Sequence, residues 1–222
     1  MELTTSTTPS ELYDMYVSVG SDPPDWLAHM LGKKSRRITD EQELVRKAIE
    51  SGIPSLFSVA EPDETKLDTL RSGYGLYISG TQGAGKTWLA SRIAKGWIMN
   101  GLGRVRFVSS VRLLSEIGDT YGNGGSETSV MDRYTSCSLL IVDDLGKEVP
   151  SQWALSKLFL LFDTRYSEQS PTVITTQFGT NALVNRMSKS GDKETALAIV
   201  SRFREKYKSV NLGDMDRRVN GK

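Results

Sequence analysis

From Gly80 to Thr87 the chain reads GTQGAGKT, between YGLYIS (74–79) and KTWLASRIAKGWIMN (86–100). The first flank is a short apolar run suited to a strand. The second carries Trp88, Leu89, Ile93, Trp97 and Ile98 near helical spacing and stops at Gly101. The segment fits the pattern G-x-x-x-x-G-K-[ST]. Chance supplies the four fixed residues in about one chain per hundred of this length. A strand before and a helix after decide for a phosphate cradle over an ordinary glycine turn. Glycines let the backbone wrap so that successive N–H groups face phosphate oxygens at a helix N-terminus. On this reading Gly80, Thr81, Gln82, Gly83, Ala84, Gly85, Lys86, Thr87 and Trp88 bind the nucleotide. Lys86 reaches the β- and γ-phosphates and serves in catalysis. The Thr87 hydroxyl is placed for Mg²⁺.

The flanking pattern predicts a fold. RVRFVS is the next strand, VRLLSEIGDTY a helix, and SLLIVDD (138–144) an unbroken apolar run ending in two aspartates. Such a run reads as a strand covered on both faces of a parallel sheet. A helix capped by Ser151 covers 151–167, and PTVITTQ (171–177) is another strand. Helices near 181–188 and 194–205 precede a short strand, KSVNL. Strand–helix alternation with covered strands makes this an α/β chain with a doubly wound sheet.

The acidic run completes the chemistry. Asp143, at the end of its strand, is placed to hold Mg²⁺ directly or through water. Asp144 is placed to orient or deprotonate an attacking water. Gln177, with Thr176 behind it, ends the third strand where an amide would lie between Asp144 and the γ-phosphate. The other reading of Gln177 is an ordinary strand end.

Composition narrows the alternatives. Twenty-eight Lys and Arg against 27 Asp and Glu leave a net charge of +1, so any nucleic-acid contact must be a local patch. Cys137 and His29 are each the sole residue of their type, which removes a disulfide, a Cys/His zinc site and a Ser-His-Asp triad. Cys137, beside an apolar run, reads as a core thiol. No apolar stretch is long enough for a bilayer, and the N-terminus lacks a signal core; a cytoplasmic location is expected.

Four segments taken together, SGTQGAGKTWLA, FVSSVRLLSEIGDTY, SLLIVDDLGKEVPSQWALSKLFLLFDTRYS and PTVITTQF, resemble the DnaC-type bacterial replicative helicase loaders. IstB transposition helper ATPases share the same AAA+ architecture. The resemblance spans about 65–218, and DDLGKE…W…LF…DTRYS…PT carries more of it than the phosphate loop does. It implies a P-loop NTPase of AAA+ (ASCE) type with strand order 5-1-4-3-2 and flanking helices, ATP and Mg²⁺ as cofactors, and action on a ring helicase or DNA. Lys86 and Thr87 match the Walker A pair, Asp143 and Asp144 the Walker B pair. Gln177 takes the sensor 1 position, where the family usually has asparagine. AIVSRFREKYKSV matches the segment of the arginine finger, with Arg202 the first choice and Arg204 the second; a finger acts on a neighbour's γ-phosphate, so self-association through an ATP interface is implied. NLGDMDRR resembles the sensor 2 end, and spacing from Gly213 favours Arg217 over Arg218 as a nucleotide ligand.

Residues 1–52 match neither group and read as an N-terminal extension, a candidate partner-binding region, before an ATPase domain at 53–222. SELYDMYVSV opens a short helix with Ser10 as cap, and a further helix runs from about Asp40 to Glu50. The cluster Lys33, Lys34, Arg36 and Arg37 reads as solvated surface. Single-stranded DNA binding is implied by the architecture, with Tyr121 and Trp153 as stacking candidates; Leu155 and Leu158 beside Trp153 point instead to a core position for it. The expected function is loading of a replicative hexameric helicase onto DNA by an ATPase. The alternatives are a transposase-delivering helper and, less favoured, a P-loop small-molecule kinase. A GTPase lacks support because no N-K-x-D motif is present.

Overall fold

The computed structural model describes residues 8–18, 37–122 and 124–213. Five parallel strands form one sheet: β1 (Gly75–Ser79), β2 (Val105–Ser109), β3 (Leu139–Asp143), β4 (Thr172–Thr176) and β5 (Tyr207–Asn211). Their spatial order is β2-β3-β4-β1-β5, the 5-1-4-3-2 order expected. The helices are α1 (Pro9–Ser18), α2 (Glu41–Glu50), α3 (Ser55–Ser58), α4 (Leu67–Arg71), α5 (Lys86–Met99), α6 (Ser110–Gly118), α7 (Glu127–Thr135), α8 (Gln152–Ser167), α9 (Thr180–Met187) and α10 (Lys193–Lys206). The sequence reading did not anticipate α3, α4 or α7.

Alternation along each strand divides the core in two. Leu76, Ile78, Leu139, Ile141 and Val173 face α2, α4 and α5, whose Leu44, Ala48, Leu70, Ile93 and Trp97 close that side. Tyr77, Leu140, Val142 and Ile174 face the layer that includes α8, α9 and α10, against Leu158, Leu161, Phe162, Leu183, Ile199 and Phe203. Each fully buried Leu, Ile or Phe contributes about 1.5–3 kcal/mol, which is why β1 and β3 carry no polar alternation until they reach the site. Cys137 lies in this core, and burial pushes its thiol up, as befits an inert packed group.

Local signals explain the helix ends. Asp40 caps α2 by accepting from the Glu43 N–H, as Ser151 caps α8 by accepting from Ala154. The cap of α1 is Thr8, not Ser10. Its hydroxyl accepts from the Glu11 N–H while the Glu11 carboxylate accepts from the Thr8 N–H, a capping box that puts Pro9 at the first helical position. The segment after α3 straps across α5. Lys95 Nζ donates to the Ala60 carbonyl at 2.6 Å, and the Asp63 N–H to the Arg92 carbonyl at 2.9 Å. Gly96 permits this approach, since a Cβ there would lie 2.4 Å from the Asp63 carbonyl oxygen.

Candidate functional site

The site lies at the carboxyl ends of β1, β3 and β4. β4 runs between the other two, with Thr176 beside Ser79 and Val173 beside Ile141. Residues that follow β4 therefore emerge between the loop after β1 and the acids at the end of β3. Sequence places these groups 57 and 34 residues apart along the chain; the sheet brings them to one cleft.

Gly85, at φ 91°, lets the loop turn directly into α5, so that the helix N-terminus faces the cleft. Gln82, Gly83, Gly85, Lys86, Thr87 and Trp88 line a cavity of 450 Å³ together with Asp144 and Gln177. Gly80, Thr81 and Ala84 form the loop's back. The Lys86 ammonium donates to the carbonyls of Gly80 at 2.9 Å and Thr81 at 2.7 Å, and Ala84 is buried. Arg92 lies over the Trp88 ring at 4.6 Å.

Thr87 and Asp143 meet as expected. The Thr87 hydroxyl lies 3.1 and 3.2 Å from the two carboxylate oxygens of Asp143. Asp143 is 8% exposed, and burial pushes its carboxyl above the usual range, against the lowering effect of a hydrogen bond from Thr175. A hydroxyl and a desolvated carboxylate side by side suit a hard cation that takes its remaining ligands from phosphate and water. Among the described residues no group of three or more His, Cys, Asp or Glu could hold a metal without such help.

Asp144 turns into the cleft at φ 57°, a conformation that costs a non-glycine residue about 1 kcal/mol. The strain is held from behind. The Asp144 N–H donates to Thr175 Oγ1 at 2.9 Å, and Ser110 Oγ lies 3.1 Å from the Asp144 carbonyl and 2.6 Å from buried Glu148. Arg186, on α9, donates to the Gly146 and Glu148 carbonyls at 2.8 Å each. Thr176 steadies the turn carrying Gln177 by donating to the Leu145 carbonyl and accepting from the Phe178 N–H.

Three cleft residues escaped the sequence reading. Thr175 bridges the acidic pair; strand alternation was the available signal, since Thr175 shares a face with Val173 as Asp143 does with Ile141. Lys147 forms an ion pair with Asp144 at 2.7 Å and also lines the cavity. Phe57 reaches the cavity from α3, carried there by the strap over α5; nothing local in its sequence marks it.

Other expected residues lie outside the cleft. Arg202 is ion-paired with Asp163 of α8, and Arg204 is exposed with its guanidinium 2.7 Å from Asn181 Oδ1. Tyr121 and Trp153 come together, rings 6.2 Å apart and edge to face, with the Trp153 N–H donating to the Tyr121 hydroxyl at 3.2 Å. Trp153 is thus not a core residue. Leu155 and Leu158 point inward on α8 while Trp153 stays 37% exposed. Lys157, below this pair, is bound to Glu127 at 2.5 Å. Arg217, Arg218, His29, Lys33, Lys34 and Arg36 lie outside the described residues.

A phosphate loop, a threonine–aspartate pair and a strand order with β1 between β4 and β5 define a P-loop NTPase of the AAA+ class. The profile of the IstB-like ATP binding protein family matches residues 65–222, and the chain belongs to that family. It is 28% identical over 113 residues to the replicative helicase loader DnaC of Escherichia coli strain K12, covering 50% of this chain and 44% of that one. The chain thus aligns with less than half the length of that relative. The crystal structure of DnaI superposes with a TM-score of 0.55 at 22% identity, over 78% of this chain and 95% of that one. AMPPCP-bound DnaA from Aquifex aeolicus superposes with a TM-score of 0.55 at 22% identity, over 66% and 43%. At these identities the two structures speak for the shared fold. No helix among the described residues is long and apolar enough to cross a membrane.

Proposed function

We propose that this chain is a Mg²⁺-dependent ATPase that loads a replicative hexameric helicase onto DNA. The observation that carries the reading is the single cleft in which Lys86, Thr87, Asp144 and Gln177 converge, with Asp143 directly behind Thr87. Similarity to a helicase loader supports the choice of partner. When bound, Mg²⁺ would neutralise phosphate charge beside Thr87 and Asp143. The protein's own part is positioning. Lys86 leaves its carbonyl partners for the β- and γ-phosphates, Gln177 orients the terminal phosphate, and Asp144 accepts a proton from the attacking water. Phe57 and Trp88 offer apolar surface for the base, Arg217 a further phosphate contact, and Arg202 of one protomer a charge for its neighbour's site. The Tyr121–Trp153 pair offers exposed rings to single-stranded DNA bases. The part of 1–52 that precedes Ile38 is the candidate helicase-gripping segment, since Ile38, Leu44 and Ala48 belong to the core itself.

A transposase-delivering role is the second reading, favoured by the family match. Paired pull-downs with a hexameric helicase and with a transposase separate the two. ATP turnover measured with and without single-stranded DNA tests the shared part. Lys86→Ala is expected to abolish ATP binding; unchanged affinity would refute the cradle.

A further inference from the structure

The segment DTRYS contributed to the family resemblance, yet none of its residues reaches the nucleotide cleft. Its first residue, Asp163, binds the Arg202 guanidinium through Nη2. Nη1 donates to the Ala198 carbonyl one turn back on α10 at 2.9 Å. The planar cation lies near two rings of α8, with Cζ 4.9 Å from the Phe159 centroid and 5.5 Å from that of Tyr166. The Arg202 side chain is 23% exposed, and its buried Nε has no hydrogen-bond partner.

This is not how an arginine free to act on another subunit would be arranged. Its charge is matched, its faces are covered, and it is folded against its own chain. Arg204, two residues on, shows the contrast: it is exposed and bound only to a neutral amide oxygen. Of the two arginines, the one with the anionic, aromatic cradle is the first choice for the arginine finger.

We propose that Asp163, with Phe159 and Tyr166, parks Arg202 in the lone protomer and releases it when a neighbouring protomer presents bound nucleotide. Asp163 is a positioning residue that never touches nucleotide. A triphosphate carries several negative charges against the single charge of a partly exposed carboxylate, so the exchange runs forward once the interface forms. Parking lowers the fraction of chains competent to associate productively, which raises the apparent dissociation constant by the inverse of that fraction. The proposal rests on Arg202 acting in trans, and the experiment separates the two ideas.

ATP turnover per protomer is measured against protein concentration for wild type, Asp163→Asn, Arg202→Ala and the double variant. Removing the parking charge is expected to move the half-activation concentration about five-fold lower, with turnover at saturation unchanged. In the Arg202→Ala background Asp163→Asn should have no effect. An unmoved midpoint in Asp163→Asn overturns parking, as does an equal shift in the double variant, which a role in folding alone would produce. If Arg202→Ala alone leaves turnover and its concentration dependence unchanged, action in trans fails and parking falls with it. Tyr166→Leu keeps the ion pair but strips one ring, and it should move the midpoint in the same direction. It decides the matter if Asp163→Asn does not fold; no shift then overturns the proposal.

Discussion

Replacing Arg165 with methionine is expected to cripple the fold and spare the site. Arg165 is fully buried on α8 without a carboxylate partner. All of its donor groups are instead used on the sheet's amino-terminal edge. Nε donates to Thr172 Oγ1 at 2.8 Å, Nη1 to the carbonyls of Tyr134, Thr135 and Cys137 at 3.0, 2.7 and 3.0 Å, and Nη2 to that of Pro171 at 2.7 Å. The side chain therefore ties the end of α7 and the lead into β3 to the start of β4. Methionine fills most of the volume but leaves these acceptors facing apolar atoms. A hydrogen bond to a charged group is worth about 1.5–3 kcal/mol, and an unsatisfied buried acceptor costs about 1–3. Several are lost together, while relief of the buried charge offsets part of the loss, as its depressed basicity through burial indicates. A net loss of about 3–5 kcal/mol follows. At roughly 2–4 °C per kcal/mol for a chain of this size, Tm should fall by about 6–20 °C. Differential scanning calorimetry reads the loss, and ATP titration at 10 °C should give wild-type affinity, because Arg165 sits at the opposite end of β3 and β4 from Asp143 and Gln177. A Tm within 2 °C of wild type, or an intact fold that no longer binds ATP, would refute the reasoning.

Three further perturbations probe the cleft. Asp143→Asn should stabilise the nucleotide-free protein by about 1 kcal/mol at pH 7. The folded carboxyl titrates higher than the unfolded one, so the wild type carries a penalty that grows as pH rises from the unfolded value to the folded one, is full above the folded value and vanishes below the unfolded one. Melts at pH 7 and pH 3 should show the gain only at the former, and saturating Mg²⁺ and ATP should reverse the order in favour of wild type. Lys147→Met frees the Asp144 carboxylate from its 2.7 Å ion pair and should raise basal hydrolysis about two- to five-fold at unchanged ATP affinity; a tenfold fall would show that Lys147 serves the phosphates instead. Gly96→Ala forces a Cβ toward the Asp63 carbonyl and should cost about 1–3 kcal/mol by chemical denaturation. Because the same strap carries Phe57, ATP affinity should weaken as well.

What the sequence made legible follows from how each residue is held. Gly85, Lys86 and Thr87 are contiguous and act through backbone geometry, so a short pattern suffices to find them. The strands LLIVD and TVITT were legible because burial on both faces removes polar alternation from them. Asp143 and Asp144 could be read because two carboxylates ending a fully apolar strand have few structural uses. Residues that act across the sheet left no such trace. Thr175 looks like any β-branched strand residue until β3 lies beside it, and its hydroxyl then spans the Asp143 carboxylate and the Asp144 N–H. Phe57 depends on a strap that exists only because Gly96 admits it, 39 residues later in the chain. Trp153 was misjudged because adjacent leucines set the expectation, whereas on a helix the neighbours that decide exposure are three and four positions away. The DTRYS segment is the clearest case of a motif whose presence was readable and whose use was not. Arg165 serves the start of two strands and Asp163 an arginine on another helix, and both roles require α8 to be packed between partners that lie about 30–40 residues distant on either side.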